Sequence, residues 1–162
     1  MTFQTERCLI RPFTLADIDA FMAYRNDPQW MRFQGFKGLT REAYVQALLA
    51  PIDQTAGFQL AIIHLADHML IGDLYLKQEG DACLIGYTVS PAYARQHYAA
   101  EAVQGALHWA SGQGFRQMVA WVEPENVASI GLLQRLGFSP IEANEDGELG
   151  FVYPLPFPGV SG

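Results

Sequence analysis

The sequence predicts an α+β domain with a mixed, mostly antiparallel sheet flanked by helices. Some short segments alternate apolar and polar residues or are continuously apolar, as strands do, and others repeat apolar residues every three or four positions, as helices do. The predicted order is β, α, α, β, β, β, α, β, α, β, with three successive strands forming a meander. Grouping of the antiparallel strands is typical of an α+β fold.

The first part of the chain predicts one strand and two helices. Their bounds are Arg7 to Arg11 for the strand, Thr14 to Tyr24 for the first helix and Arg41 to Ala50 for the second. Asp17 follows Thr14 by three residues, as in a capping box, and Pro12 and Pro51 end the elements before them. The apolar face of the first helix consists of Leu15, Ile18, Phe21 and Met22.

The segment between these helices carries four large apolar residues. They are Trp30, Met31, Phe33 and Phe36, broken by Gly35 and Gly38. Two interpretations stay open, a core beneath a loop or the wall of a substrate site.

The rest of the chain predicts five strands and two helices. The strands are Gly57 to His64, Met69 to Lys77, Ala82 to Val89, Met118 to Val122 and Phe151 to Tyr153, and the helices are Tyr98 to Gly112 and Asn126 to Leu136. Turns at residues 65–68 and 80–81 join the first three strands into the meander. Small residues share one face of the first helix, which permits close approach to a sheet: Ala99, Ala102, Val103, Ala106 and Ala110. Gly137 is predicted as a left-handed helix cap, and the tail from Pro154 as irregular.

Length and composition predict a single domain over residues 1–162. Half of the 162 residues are apolar, which is enough for a core without metal or disulfide. Cys8 and Cys83 lie in predicted strands and are expected to be reduced core residues of a cytoplasmic protein. The chain has no signal-like apolar start and no run long enough to cross a membrane. A net charge of -7 argues against a nucleic-acid partner; an acidic surface could attract an amine, or only maintain solubility.

Two stretches carry the chemistry, because each leads from a strand into a helix. They are Gly86 to Pro91 with Tyr98 to Ala102, and Pro124 to Ile130 with Leu136 to Phe138. This pair resembles the GNAT superfamily of N-acetyltransferases, and most closely its RimJ/RimL-type branch, to which Thr5 to Phe13 is also similar. The resemblance covers residues 5 to 153. It implies a GNAT-like sheet with a splayed central strand pair, and transfer of acetyl from acetyl-CoA to a primary amine, which is either a protein N-terminus or a small amine.

The resemblance implies that the loop before the second-half helix binds the diphosphate of coenzyme A. The contacting residues would be Arg95, Gln96, His97, Tyr98, Ala99 and Ala100. Unpaired N–H groups at a helix start bind phosphate oxygens. His97 stands where the family usually has glycine, and Ala94 replaces a polar residue. Because positive φ costs a non-glycine residue ~1–2 kcal/mol, either the turn avoids that conformation or cofactor affinity falls.

By the same resemblance, Thr88 and Val89 end a strand that splays from its neighbour. The pantetheine arm would pair with this exposed edge, and a backbone N–H near Val89 would form an oxyanion hole. Asn126 is either only an N-cap or also a cofactor contact. Ser129 is the catalytic candidate, a proton donor to the departing thiolate, although a first-turn helix serine is the alternative.

A general base would help, since a protonated amine has no lone pair. The candidates are Glu142, Glu145, Glu148, Asp73 and His64, with Glu148 favoured because it precedes a strand that would border the acceptor cleft. Neither cysteine has an adjacent base, so direct transfer is preferred over an acyl-enzyme.

Three further expectations complete the sequence-based interpretation. His64 and His68 flank a turn without other ligands, so no metal is expected. The competing function is a degenerate GNAT domain that binds an acyl-CoA or a protein partner without turnover. A homodimer is possible.

Overall fold

A computed structural model describes residues 1–157 of the chain and contains one eight-stranded sheet. Its strands are β1 Phe3–Gln4, β2 Cys8–Pro12, β3 Phe58–His64, β4 Leu70–Glu79, β5 Ala82–Val89, β6 Gln117–Val122, β7 Ser139–Ile141 and β8 Leu149–Pro154. The spatial order is β1-β2-β3-β4-β5-β6-β8-β7. Only β5 and β6 are parallel neighbours in this sheet. The predicted α+β class with a mostly antiparallel sheet is confirmed.

Four helices cover the two faces of the sheet. They are α1 Ile18–Arg25, α2 Arg41–Leu48, α3 Tyr98–Gly112 and α4 Val127–Leu136. Along β3, Leu60 packs with α3 and α4, whereas Ala61 packs with α1 and α2. Because successive strand residues point to opposite faces, the helix pairs lie on opposite sides of the sheet. None of the helices in the described part of the chain has the length and apolarity that a bilayer crossing requires.

Local signals explain where α1 begins and where α4 ends. A carboxylate oxygen of Asp17 accepts a hydrogen bond from the Thr14 backbone N–H at 2.7 Å, so the expected capping pair is present. A 3₁₀ turn over Leu15–Asp17 precedes α1 and leaves Leu15 56% exposed. The prediction of Leu15 on the buried face was therefore wrong, because that prediction assumed regular α-helix from Thr14. Gly137 ends α4 at φ 99°, as predicted.

The predictions missed the two short edge strands β1 and β7. Strand β1 has two residues and β7 has three, one of them Pro140, so neither carries a readable alternation. Pro154 ends β8 instead of opening the irregular tail that was expected. The last part of that tail, residues 158–162, lies outside the described residues.

The parallel pair β5 and β6 separates along its length. Their pairing comprises Ala82 with Gln117, Cys83 with Met118, and Leu84 with Val119. From Ile85 to Val89, β5 still pairs with β4 but no longer with β6. The splayed central strand pair is confirmed, and the opening is called the seam below.

Candidate functional site

The backbone of Val89 faces the seam. The N–H of Ser90 donates to the carbonyl of Ile71 next to β4, at 2.7 Å. Since successive residues of a strand direct their N–H and C=O groups to opposite sides, those of Val89 point away from β4. The indole Nε1–H of Trp30 donates to the Val89 carbonyl at 2.9 Å. One seam acceptor is thus occupied by a side chain from the loop after α1.

Three cavities meet beside the seam. The seam cleft, about 280 Å³, is lined by Trp30, Phe33, Val89, Arg95, Asn126 and Ser129 among others. The polar cleft, about 170 Å³, is lined by Trp121, Glu123 and Glu148 among others. The Arg25 cavity, about 370 Å³, is lined by Arg25, Gln59, Asp73 and Tyr75 among others. Gln34 and Tyr87 line all three, so the cavities converge on these two side chains.

The seam cleft continues toward the start of α3. Arg95, His97, Tyr98, Ala99 and Ala100 line this extension, the helix-start cleft, of about 390 Å³. The structure therefore brings this part of the predicted diphosphate loop to one cleft, and Arg95 and Ala99 also line the seam cleft.

The turn before α3 contains two residues in the left-handed region. His97 has φ 66° and Arg95 has φ 62°. Of the two alternatives given for this turn, avoidance of positive φ is therefore excluded, and Arg95 shares the conformation that was considered only for His97. Both side chains and that of Gln96 are exposed. The turn keeps the backbone geometry that glycine would allow, although neither residue is glycine.

A half-buried polar cluster contacts this turn. Arg7 donates to the Gln96 carbonyl at 3.0 Å and to the carboxylate of Glu101 at 2.7 Å. Thr5 also donates to Glu101, at 2.6 Å. Burial raises the pKa of Glu101, but the hydrogen bonds from Thr5 and Arg7 more than offset this, so the net pKa lies below the ordinary value. Sequence reasoning missed this cluster because its partners are remote in the chain.

Tyr98 contributes only its backbone to the turn. Its side chain is buried, and its hydroxyl contacts Nε2 of His64 at 2.8 Å. Nδ1 of the same imidazole lies 3.1 Å from Asp67. Since both ring nitrogens of His64 have partners away from the three cavities, His64 is poorly placed as a base.

The hydroxyls of Tyr87 and Ser129 share a hydrogen bond at the seam. Burial raises the pKa of Tyr87 to about 12, so this phenol is protonated at neutral pH. Asn126 caps α4, with its side-chain oxygen accepting from the Ser129 N–H at 3.3 Å. Tyr87 was not among the predicted site residues. Its place two residues before Val89, on the same side of β5, was the available signal.

The acidic candidates separate by position. Glu148 is half-buried, lines the polar cleft and accepts from Asn144 at 3.1 Å. Glu142 and Glu145 are exposed and line none of the four clefts. Glu123 joins Glu148 in the polar cleft and was missed by sequence reasoning.

Asp73 is buried in an ion pair. Its two oxygens accept from Tyr24 and, at 2.6 Å, from Arg25, and burial raises its pKa. Because both oxygens are occupied by these donors, Asp73 is not free to take a proton from an amine. Thr88 lies opposite Asp73 in the β4–β5 ladder and is itself buried, and it lines both the seam cleft and the Arg25 cavity.

The cysteines are free and buried. Burial raises the pKa of Cys8 to about 11 and that of Cys83 to about 12. Neither thiol is appreciably ionised at neutral pH, so neither is an activated nucleophile. Within residues 1–157, no group of three His, Cys, Asp or Glu side chains could hold a metal.

The four apolar residues of the loop after α1 divide between the two interpretations left open, a core beneath a loop and the wall of a site. Met31 is fully buried in the core, whereas Trp30 and Phe33 line the seam cleft and Phe36 lines the Arg25 cavity. One side chain is therefore core, and the others are walls of the cavities.

Comparison with known proteins gives a consistent result. The family model described as "Acetyltransferase (GNAT) domain" matches residues 7–139. YnaD of Bacillus subtilis, named an uncharacterized N-acetyltransferase, is 28% identical over 144 residues, which cover 85% of this chain and 82% of YnaD.

Solved structures share the fold. A GNAT-family acetyltransferase of Bacillus anthracis superposes with a TM-score of 0.77 at 22% identity, covering 96% of this chain and 98% of that one. The ribosomal-protein-S5-alanine acetyltransferase of Vibrio fischeri gives 0.74 at 19% identity, over the full length of both chains. At these identities the likeness extends to the fold and not to the substrate.

Proposed function

The chain belongs to the acetyltransferase (GNAT) family, and we propose that it is an N-acetyltransferase that moves the acetyl group of acetyl-CoA to a primary amine by direct attack. The open seam is the observation that carries this proposal. A strand edge without a partner can take up an extended amide-bearing chain by backbone pairing. The pantetheine arm of acetyl-CoA is such a chain, and the seam cleft leads from this edge to the start of α3.

The start of α3 would bind the diphosphate. The first N–H groups of a helix lack partners and lie at the positive end of its dipole. Two left-handed residues just before the helix help to form a concave set of N–H groups, which also favours anions. Arg95 and Arg135 line the same cleft and add positive charge. We assign the contacts to residues 95–100, with Asn126 on the pantetheine arm.

The transfer step uses groups at the seam. The lone pair of the neutral amine forms a bond to the thioester carbonyl carbon, and the Val89 N–H stabilises the resulting oxyanion. The carbon–sulfur bond then breaks. Ser129 gives a proton to the departing thiolate and recovers one from Tyr87, which shares its hydrogen bond, and Tyr87 takes a proton back from solvent water. The ammonium proton leaves through water to Glu148, which borders the polar cleft.

Two finer assignments belong to this proposal. We assign the chain to the RimJ/RimL-type branch, on the similarity of Thr5 to Phe13. We place the protein in the cytoplasm, because buried free cysteines suit a reducing compartment.

Cofactor binding is the first test. Acetyl-CoA and free CoA are titrated while thermal unfolding is monitored, since a ligand at 100 times its Kd stabilises by ~2.7 kcal/mol. Ala99→Trp, which fills the junction of the seam and helix-start clefts, should abolish the shift. Ala143→Trp, at an exposed loop position, should retain it. No shift at millimolar cofactor would refute both the enzyme and the acyl-CoA-binding domain.

Turnover separates the two remaining functions. Release of the CoA thiol is measured with a panel of primary amines that includes peptides, amino acids and polyamines. Acetylated amine identified by mass spectrometry supports the enzyme. A thermal shift without turnover on any amine would favour the degenerate acyl-CoA-binding domain instead.

A further inference from the structure

We propose that the Arg25 cavity binds the first main-chain amide of the acceptor, so that the acceptor is the N-terminus of a peptide or protein. This inference rests on the proposed function, because it assigns the acceptor to a cavity beside the proposed reaction centre. It selects one of the two acceptor classes that the family resemblance leaves open.

The cavity lies on the α1 and α2 face of the sheet, across β5 from α3 and α4. Its volume of about 370 Å³ is within the ~300–1,000 Å³ range of small-ligand pockets. It shares Tyr87 and Thr88 with the seam cleft. The cavity therefore lies next to the seam, within reach of the rest of an acceptor whose amine is at the seam.

Arg25 is a buried cation with an unfilled hydrogen bond. Its side chain is 3% exposed, and one of its terminal nitrogens donates to Asp73 at 2.6 Å. Its Nε–H is buried and has no partner. Leaving a buried donor of a charged group unpaired is unfavourable, and native structures keep few such groups. A ligand oxygen that accepts from this guanidinium would remove that cost.

Gln59 supplies the complementary group. Its side-chain oxygen is buried without a hydrogen-bond partner, and the residue lines the same cavity. Among the described residues, Arg25 and Gln59 contain the only two buried side-chain polar atoms that lack a partner. One atom is a donor and the other an acceptor, and the two residues that carry them border one cavity.

A main-chain amide matches this pair. Its carbonyl oxygen accepts from Arg25, and its N–H donates to Gln59. A main-chain amide also suits the electrostatics of the cavity. Asp73 already neutralises Arg25, and a neutral amide adds no net charge to this buried site. A polyamine offers only donors and brings a second cation toward Arg25, so the cavity disfavours it.

The space for this group depends on small residues around Tyr75. A Cβ atom built on Gly57 would lie 2.1 Å from the Tyr75 hydroxyl oxygen, and one on Gly86 would lie 3.5 Å from the Tyr75 Cβ. Both glycines line the cavity with that ring. The Tyr75 ring therefore forms one wall of the cavity, and a larger residue at position 57 would push this ring out of its place.

The decisive experiment compares a tripeptide that has a free N-terminus with its ester analogue, in which the first amide N–H is replaced by oxygen. The wild-type protein should favour the amide by about five- to tenfold in kcat/KM, the equivalent of one neutral hydrogen bond. Gln59→Leu should abolish this preference, whereas Gln104→Leu, at an exposed position of α3, should retain it. Loss of the preference in Gln59→Leu alone supports the proposal.

A second variant tests Arg25 without leaving a lone buried charge. Arg25→Met combined with Asp73→Leu and Tyr24→Phe replaces the ion pair, and the hydroxyl bonded to it, by apolar side chains, which proteins often tolerate. It should raise the tripeptide KM about tenfold or more, while the acetyl-CoA thermal shift shows that the fold and donor site are intact.

Two results would overturn the assignment while leaving the acetyltransferase function standing. One is an equal preference for amide and ester in the wild type, and the other is a preference that survives Gln59→Leu. Calorimetric binding of both peptides in the presence of CoA gives the same comparison without turnover. Absence of turnover on every amine would then count against the proposed function alone, and the binding data would still decide the role of the cavity.

Discussion

Tyr87 and Ser129 come from elements remote in the chain, yet their hydroxyls share one hydrogen bond at the seam. Tyr87 lies on β5 and Ser129 in the first turn of α4. Since burial raises the pKa of Tyr87 to about 12, the pair holds its protons across the neutral range. A protonated pair can deliver a proton to a thiolate but cannot remove one from an ammonium. The base must therefore be a different group.

Ser129→Ala and Tyr87→Phe should each lower kcat by about 10- to 100-fold. This loss is small for removal of a general acid, because a thiolate is a good leaving group and needs little protonation. The acetyl-CoA thermal shift should persist in both. The double variant should lose little more than the worse single variant, because the two hydroxyls act on one proton. Ser139→Ala at an exposed position is the matched control. Additive losses would show that the hydroxyls act separately.

His97 holds a left-handed conformation without a side-chain hydrogen bond at the helix start. In that region a non-glycine residue is strained by ~1–2 kcal/mol. Glycine removes this strain. It also gives the unfolded chain more conformational freedom, which lowers the free energy of unfolding by ~0.4–1 kcal/mol and offsets part of the gain.

His97→Gly should therefore stabilise the protein by somewhat less than about 1 kcal/mol, raising Tm by about 1–3 °C. His108→Gly is the matched control. That residue is exposed within α3, where glycine destabilises by ~1 kcal/mol, so its Tm should fall. Differential scanning calorimetry measures both. A fall in Tm for His97→Gly would mean that the imidazole makes a stabilising contact.

At the scale of elements, the loop after α1 closes over the seam. Trp30 binds the Val89 carbonyl, which is a seam group that an extended pantetheine amide would use. The indole and the pantetheine arm therefore compete for one acceptor. For the pantetheine arm to pair with the Val89 carbonyl, Trp30 must first release its hydrogen bond to that carbonyl.

Trp30→Phe keeps an aromatic wall but removes the N–H donor. Acetyl-CoA should then bind about two- to tenfold more tightly, since one net hydrogen bond no longer has to be broken. Isothermal titration calorimetry measures the change in Kd. Trp109→Phe, which alters an indole packed on Phe3 and Phe115, should leave Kd unchanged. Weaker binding by Trp30→Phe would mean that the indole contacts the cofactor instead.

At the scale of the whole molecule, two carboxylates couple folding to pH. Burial raises the pKa of Asp17, but Arg11 and Thr14 more than offset it, so its net pKa is lowered. The net pKa of Glu101 is lowered in the same way by Thr5 and Arg7. A group whose pKa is lower in the folded state binds fewer protons there, so its stabilisation is lost as pH falls.

Above pH about 5, the contribution of these two carboxylates to the free energy of unfolding should therefore not change with pH. As the pH drops below the ordinary carboxyl pKa values, 4.5 for Glu and 3.8 for Asp, that contribution should decrease. Asp17→Asn with Glu101→Gln should lower stability at pH 7 and flatten the decline toward pH 3. Urea unfolding at a series of pH values measures both effects. Glu125→Gln, at an exposed position, is the control. A decline equally steep in the double variant would assign the acid sensitivity to other carboxylates.

Residue order was enough to predict the fold class, the meander, the four helices and the two strand-to-helix junctions that flank the seam. These follow from local patterns, because apolar spacing, caps and glycine turns act within a few residues. The short edges β1 and β7 escaped prediction because two or three residues carry no period. The left-handed turn at Arg95 and His97 runs against local preference, and its contact with Arg7, which donates to the Gln96 carbonyl between them, comes from a residue remote in the chain.

Which side chains meet depends on how the elements pack. The contacts of Tyr87 with Ser129, Arg7 with Glu101 and Arg25 with Asp73 join residues 42, 94 and 48 positions apart. Each depends on strand register and on helix packing across the sheet, which local sequence does not encode. The same register separated Glu148, at the polar cleft, from Asp73, which is locked in a buried ion pair. Chemistry at this site thus arises where distant segments converge, and only the folded chain brings them together.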